Sequence, residues 1–463
     1  MGIELGSDEH FPALPTQLAG GGAEAVGMGA PVEIVHAAPD GMQDIFRFQR
    51  GVAACGEAEA ADLAERWKIG ILRRSLTKGF WRHDRIEPQG AMPDTTEIIG
   101  RHYQTGEGMR VVCGGGVIES TEPAEAPGDV WVAPGIFDPQ VNGYAGVDFQ
   151  RDGLDASDLM TAAAGLRADG CPRWLLTLIT DDYDKLIARL AHLKQLRDAD
   201  PSLREAIVGW HVEGPFLSQE PGFRGAHDNE VMRDATLADI ERLRETLGDD
   251  PVLFTIAPER DGSIAAIRRA TELGMRVSLG HSNPSVDDLR AAKDAGAVAF
   301  THLGNGCPQA LDRHDNFLWR VLDDGGLVAG VIPDSIHVSP LLFRLLNRVL
   351  GPEGVYYTTD CMSAAGAPPG RYTVGRLELE VGEDQVVRQP GQTNFAGSAL
   401  RPWQGVQRAA RMLGVSWREV WDGFAERPLG LMGLDTGLAV GKPAALCLVK
   451  EDGAGVLQTV EVV

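Results

Sequence analysis

Four side chains have the types and spacing of a hydrolytic metal site: Glu213, His281, His302 and Asp360. Each directly follows a short run of apolar and small residues, 206–212, 275–280, 297–301 and 355–359. Such runs read as buried strands, so each strand delivers one polar group to its own C-terminal tip. One carboxylate and two imidazoles suit a divalent ion, and three protein ligands leave the open position that marks a catalytic rather than a structural site. A water held there ionises near neutral pH. Asp360 is the group left over for proton transfer, which as general acid-base catalysis is typically worth roughly 100 to 10,000-fold. Any one of these histidines alone would read as structural. The weight lies in four such groups, each at the tip of a separate strand.

The elements that must hold them are legible as a pattern. Eight apolar strand runs occur near 133–139, 174–179, 206–212, 252–256, 275–280, 297–301, 327–332 and 355–359, and helical stretches separate most of them. The clearest helix is 284–295, with Ser282 or Asn283 as cap, Pro284 in the first turn, Val286, Leu289 and Ala292 on one face and Gly296 as the stop. Strand and helix alternating in this way predict an α/β fold, a (β/α)8 TIM barrel, whose active site lies at the C-terminal tips of the strands. Residues 401–413 and 417–424 are expected as trailing helices. Short strands before the barrel, within 95–132, have the texture of those at 444–449 and 456–463. Such strands need a partner sheet, so the two ends are expected to pair into a small β-sandwich. The expected organisation is an N-terminal extension over 1–91, the sandwich from 92–132 plus 436–463, and the barrel over 133–435. The Gly114-Gly115-Gly116 run reads as a turn, because no helix follows to make it a phosphate loop.

Residues 1–40 are rich in Gly, Ala and Pro without periodicity and read as a flexible tail. Residues 57–67 have helical spacing, and a basic cluster that includes Arg73, Arg74 and Lys78 reads as a solvated face, with a docking patch as the alternative. Translation starting at Met92 is a further reading of this region.

Composition narrows the function. A formal charge of −23 over 463 residues argues against nucleic acid and anionic membranes as partners, since both need a basic face. An anionic small molecule would need its own local cation. Six cysteines without a CxxC pair fit a reducing compartment. The first thirty residues lack the cationic start and apolar run of a signal peptide, so a cytoplasmic location is expected.

Longer motifs surround the four groups: Pro134-Gly135-Ile136-Phe137-Asp138-Pro139-Gln140-Val141-Asn142-Gly143, His211-Val212-Glu213-Gly214-Pro215, Ala257-Pro258-Glu259, Gly280-His281-Ser282-Asn283, Thr301-His302-Leu303-Gly304-Asn305, Thr359-Asp360 and Ala396-Gly397-Ser398. Together they resemble the N-acetylglucosamine-6-phosphate deacetylases, a family of the amidohydrolase superfamily, from about Thr95 to the C-terminus. Many amidohydrolases hold a second metal through His-x-His after the first strand and a lysine after the fourth. Here Gln140-x-Asn142 stands in the first place and no lysine in the second, and neutral amides are poor ligands for zinc. One divalent ion is expected, zinc first, with iron, cobalt or manganese suiting the same donors.

The resemblance also implies substrate contacts: Ala226 and His227 at the sugar, Gln140 and Asn142 beside the metal, Asn305 and Gly306 near the phosphate, His337 after the seventh strand, Arg313 as the cation for the 6-phosphate, and Phe395 and Ala396 closing over the acetyl group. It implies a homodimer and a phosphorylated amino sugar as substrate, with hydrolysis of N-acetylglucosamine 6-phosphate to glucosamine 6-phosphate and acetate. Asp312 and Asp315 beside Arg313 would weaken phosphate attraction unless they face away. The alternatives are deacylation of an unphosphorylated amino sugar or an N-acyl amino acid, and, in a different class, a metal-free barrel used as a binding module.

Overall fold

The computed structural model describes residues 95–391 and 397–463. The expectations for residues 1–91, for a start at Met92 and for Phe395 and Ala396 lie outside the described residues.

Eight parallel strands form one sheet in consecutive order: Phe137–Val141, Arg173–Ile179, Ile207–Glu213, Val252–Ile256, Arg276–Leu279, Ala297–Phe300, Val328–Val331 and Val355–Tyr357. A parallel sheet covered by helices is buried on both faces, so its strands are continuous apolar runs rather than alternating ones. Arg173–Ile179 shows this, with its five central residues all buried. The curved sheet comes round on itself where Val141 meets Cys361 in a parallel bridge. The fold is therefore a nearly closed (β/α)8 barrel.

The first strand begins later than the apolar run suggests. Residues 130–134 belong to another sheet, the chain turns at Gly135, whose amide bonds the Ala445 carbonyl at 2.8 Å, and the barrel strand is Phe137–Val141. The helix expected over 284–295 is Val286–Ala295, capped by Ser285 rather than Ser282 or Asn283. Ser285 wins because Asp288 answers it in a reciprocal capping box. Pro284 consequently precedes the cap, and the Asn283 amide is free to bond Glu259.

The segments before and after the barrel pair as expected. Leu446–Glu451 runs antiparallel to Val130–Pro134 and joins a six-stranded mixed sheet with Leu457–Val462, Thr96–His102, Gly108–Gly114 and Val117–Pro123. Ile98, Val111, Ile118, Val132 and Leu446 form its apolar face, and Gly115 and Gly116 make a hairpin turn between two of its strands. Of the trailing helices Pro402–Leu413, Trp417–Phe424 and Glu426–Met432, the last sends Leu429 and Met432 against Phe137, Leu175 and Leu253, at or near the strand starts. Fully burying side chains of this size is worth about 1.5 to 3 kcal/mol each. The packing plugs the N-terminal mouth and leaves the C-terminal one for chemistry.

One element escapes the sequence pattern. Between the eighth strand and the trailing helices, Gly370–Val374, Leu377–Val381 and Val387–Arg388 form a three-stranded antiparallel sheet. Its apolar residues pack on Met362 and Ala364, and Arg376 at its hairpin bonds Asp228 at 2.9 Å, beside the loop that carries His227. Among the described residues no helix is long and apolar enough to cross a membrane.

Candidate active site

The third, fifth and sixth strands bring Glu213, His281 and His302 together as one buried cluster, its donor atoms within 4.8 Å of one another. Glu213 Oε1 lies 2.9 Å from His302 Nε2 and 3.2 Å from His281 Nε2. His281 Nδ1–H is committed to the Phe223 carbonyl at 2.9 Å, so in the neutral ring Nε2 carries the lone pair and faces the carboxylate. Two acceptors facing each other in a buried space call for a cation between them. Burial opposes the Glu213 charge, but the two imidazoles outweigh it and hold the carboxyl well below its usual range. Two nitrogens and one oxygen are borderline donors, a set that fits a divalent transition metal or zinc.

Backbone geometry at these tips is unusual. His281, His302 and Asp360 have φ of 49°, 32° and 50°, in the left-handed region that costs a non-glycine residue energy and clusters at functional sites. Two glycines make room around His281: a Cβ on Gly225 would lie 2.8 Å from its Cε1, and one on Gly306 would lie 2.7 Å from its Nδ1. Two loops thus close on one ligand ring.

Gln140 and Asn142 act as donors here. Gln140 Nε2 donates to Glu213 Oε2 at 3.0 Å, and Asn142 Nδ2 donates to Asp360 Oδ1 at 2.8 Å. Their N–H groups are thus turned toward the carboxylates. Beneath the cluster a hydroxyl network ties the strands: His211 Nε2 meets Thr255 Oγ1 at 2.8 Å, Thr255 meets Thr301 at 2.9 Å, and Ser278 meets Thr301 at 2.7 Å. Thr255 is the penultimate residue of the fourth strand, which carries no lysine.

Asp360 is half-buried beside this cluster. Burial first, and the Glu213 charge second, push its carboxyl up to about 7. His227 Nε2 lies 3.1 Å from His281 Nε2, and its Nδ1 meets Thr180 Oγ1 at 2.8 Å. Burial and the neighbouring imidazoles pull His227 down to about 3, so it is neutral. His337 is the reverse case. Burial opposes its charge, but Asp334, whose Oδ2 sits 2.6 Å from His337 Nδ1, raises it. Asp334 Oδ1 also accepts the amides of Ile336 and His337 at 2.8 Å each, fixing the ring's direction.

The remaining expected contacts are less tightly gathered. Asn305 Nδ2 bonds the His302 carbonyl at 3.3 Å, Gly306 lies against His281, and Ala226 is exposed next to His227. Arg313 is exposed. Its two acidic neighbours are engaged elsewhere: Asp315 with Arg320 at 2.6 Å, and Asp312 with the amides of His314 and Asp315. No ion pair joins Arg313 to Asp312 or Asp315 among the described residues. Arg320 instead braces the site, bonding Asn283 Oδ1 and the Pro284 carbonyl. Sequence reasoning missed Asp334, Thr180 and the hydroxyl network. Asp334 had a signal, a carboxylate three residues before His337 and just after the seventh strand.

No protein-family model matches the chain. Curated proteins do: the N-acetylglucosamine-6-phosphate deacetylase of Danio rerio is 30% identical over 314 residues, 65% of this chain and 76% of the relative. The N-acetylgalactosamine-6-phosphate deacetylase of Escherichia coli O157:H7 is 30% identical over 334 residues, 71% of this chain and 86% of the relative. Among solved structures, a mutant N-acetyl-D-glucosamine-6-phosphate deacetylase from Mycobacterium smegmatis in complex with N-acetyl-D-glucosamine-6-phosphate is similar with a TM-score of 0.69 at 27% identity, over 79% of this chain and 99% of that one.

Proposed function

The chain belongs to the N-acetylglucosamine-6-phosphate deacetylase family of the amidohydrolase superfamily, and from that premise we propose that it hydrolyses N-acetylglucosamine 6-phosphate to glucosamine 6-phosphate and acetate. The observation that carries this reading is Asp360, a half-buried carboxylate oriented by Asn142 at 2.8 Å beside the Glu213, His281 and His302 cluster. Those three residues would hold one divalent ion, zinc first, which when bound polarises an amide carbonyl and acidifies water.

The chain's own groups do the rest. Asp360 takes the proton from the attacking water as the C–O bond forms, and returns it to the amide nitrogen as the C–N bond breaks, releasing acetate and the free amine. Gln140 steadies Glu213, leaving its other oxygen toward the imidazoles. His227 stays neutral and presents Nε2 to the reacting centre, while His337, held in direction by Asp334, offers its other ring nitrogen to a sugar hydroxyl. Arg313, exposed and unencumbered by Asp312 or Asp315, is our choice for the 6-phosphate, since arginine binds phosphate as a planar fork.

A second reading has a specific observation behind it: a relative named for the galactosamine epimer matches at the same identity as one named for the glucosamine substrate. Acetate release by metal-loaded protein over a panel of phosphorylated and plain N-acetyl sugars decides between them. Preference for N-acetylglucosamine 6-phosphate supports the proposal. Preference for the galactosamine epimer or for an unphosphorylated sugar sinks it.

A further inference from the structure

Asp138 lies in the first barrel strand and takes no part in the steps above. Its side chain is fully buried, and both carboxylate oxygens are filled by neutral donors. Thr358 Oγ1 donates at 2.6 Å, Thr359 donates through Oγ1 and through its amide at 3.2 Å, and the Gln140 amide donates at 3.2 Å. Three of the four donor groups therefore belong to the chain just past the eighth strand, immediately before Asp360.

That placement coincides with the weakest point of the ring. The first and eighth strands are the ends of the sheet's hydrogen-bonded order, and a bridge between Val141 and Cys361 joins them, with the Asn142 amide on the Cys361 carbonyl at 2.8 Å. Elsewhere neighbouring strands are set in register by ladders. Here the Asp138 carboxylate supplements a single bridge, bonding next to Gln140 and Asn142 on one side and next to Asp360 on the other. Burying a carboxylate costs stability that a well-packed apolar pair would not, so cohesion alone is a poor reason for one at this position.

We propose that Asp138 is a positioning residue for the reaction: bonded to Thr358 and Thr359 across the seam, it sets the height of Asp360 against Asn142 and the metal-binding cluster. The inference rests on the reading of Asp360 as the general base. Misplacing a reacting group by an ångström can cost on the order of 100-fold in rate, whereas Glu213, His281 and His302 stand on other strands and should keep their metal.

The test compares Asp138→Asn, Thr359→Val, Thr359→Ser and Asp360→Asn as full-length, zinc-loaded proteins, measuring bound zinc, melting temperature, kcat and KM. Asp138→Asn should bind about one zinc while kcat falls roughly 10 to 100-fold and KM changes little. Thr359→Val should move in the same direction, and Thr359→Ser, which keeps the hydroxyl, should recover most of the loss. A purely structural role would lower the melting temperature without separating kcat from KM or the serine from the valine variant, and that result overturns the proposal. Should Asp138→Asn fail to fold, the Thr359 pair carries the test alone. Near-normal turnover by Asp360→Asn would remove the base assignment and this proposal with it. A dead Asp360→Asn beside an undisturbed Asp138→Asn would overturn the proposal only.

Discussion

Asn142 Nδ2 donates to Asp360 Oδ1 at 2.8 Å, joining residues 218 positions apart across the seam of the barrel. The bond turns one oxygen of Asp360 away and leaves the other for a proton. Asn142→Ala removes a hydrogen bond to a charged group, worth about 1.5 to 3 kcal/mol. Its kcat should fall by about 10-fold or more on that scale, with bound metal unchanged. Loss of the metal instead would make Asn142 a ligand.

Metal content follows from the same amides. With Gln140 and Asn142 donating to carboxylates, dialysed protein should hold about one divalent ion per chain, and chelation should abolish activity that one equivalent restores. Two tightly held ions would require ligands beyond Glu213, His281 and His302.

Arg313 separates phosphorylated from plain substrates. Arg313→Met should lower kcat/KM for N-acetylglucosamine 6-phosphate by roughly 10 to 100-fold, the scale of one lost charged hydrogen bond, and leave the low activity on N-acetylglucosamine unchanged. Equal losses on both sugars would assign Arg313 to structure.

His211 offers a test by pH. Burial chiefly pulls its pKa from 6.5 to about 4, so it is neutral in the fold while the unfolded chain protonates it below pH 6.5. The folded pKa is depressed, so its contribution to stability is complete above pH 6.5 and is lost as pH falls toward 4. In metal-free protein, denaturant titrations should show a shallower fall of stability over that window for His211→Gln than for the wild type. Parallel curves would mean that His211 is already charged in the fold.

Much of this arrangement was legible in the sequence, for a physical reason. Parallel barrel strands are continuous apolar runs, so the residue that ends a run is a strand tip, and Glu213, His281, His302 and Asp360 could be placed in one bowl without coordinates. Side-chain roles that depend on distant partners could not. Asp138 and Thr358 are 220 positions apart, and nothing local marks one as acceptor for the other. The left-handed φ of His281, His302 and Asp360 is equally silent, since histidine and aspartate give no glycine-like signal. The sheet over 370–388 was missed because its polar, exposed strands lack an apolar run. The first strand was placed too early because residues 130–134, in the flanking sheet, are as apolar as the barrel's own.

Turnover by zinc-loaded Asp360→Asn on N-acetylglucosamine 6-phosphate tests the central claim most directly. The variant keeps the side chain's shape and leaves Glu213, His281 and His302 to hold the ion. The account predicts acetate release at least about 100-fold slower than wild type with zinc retained. Near-wild-type turnover with zinc bound would contradict it, moving the proton transfer to His227 or His337.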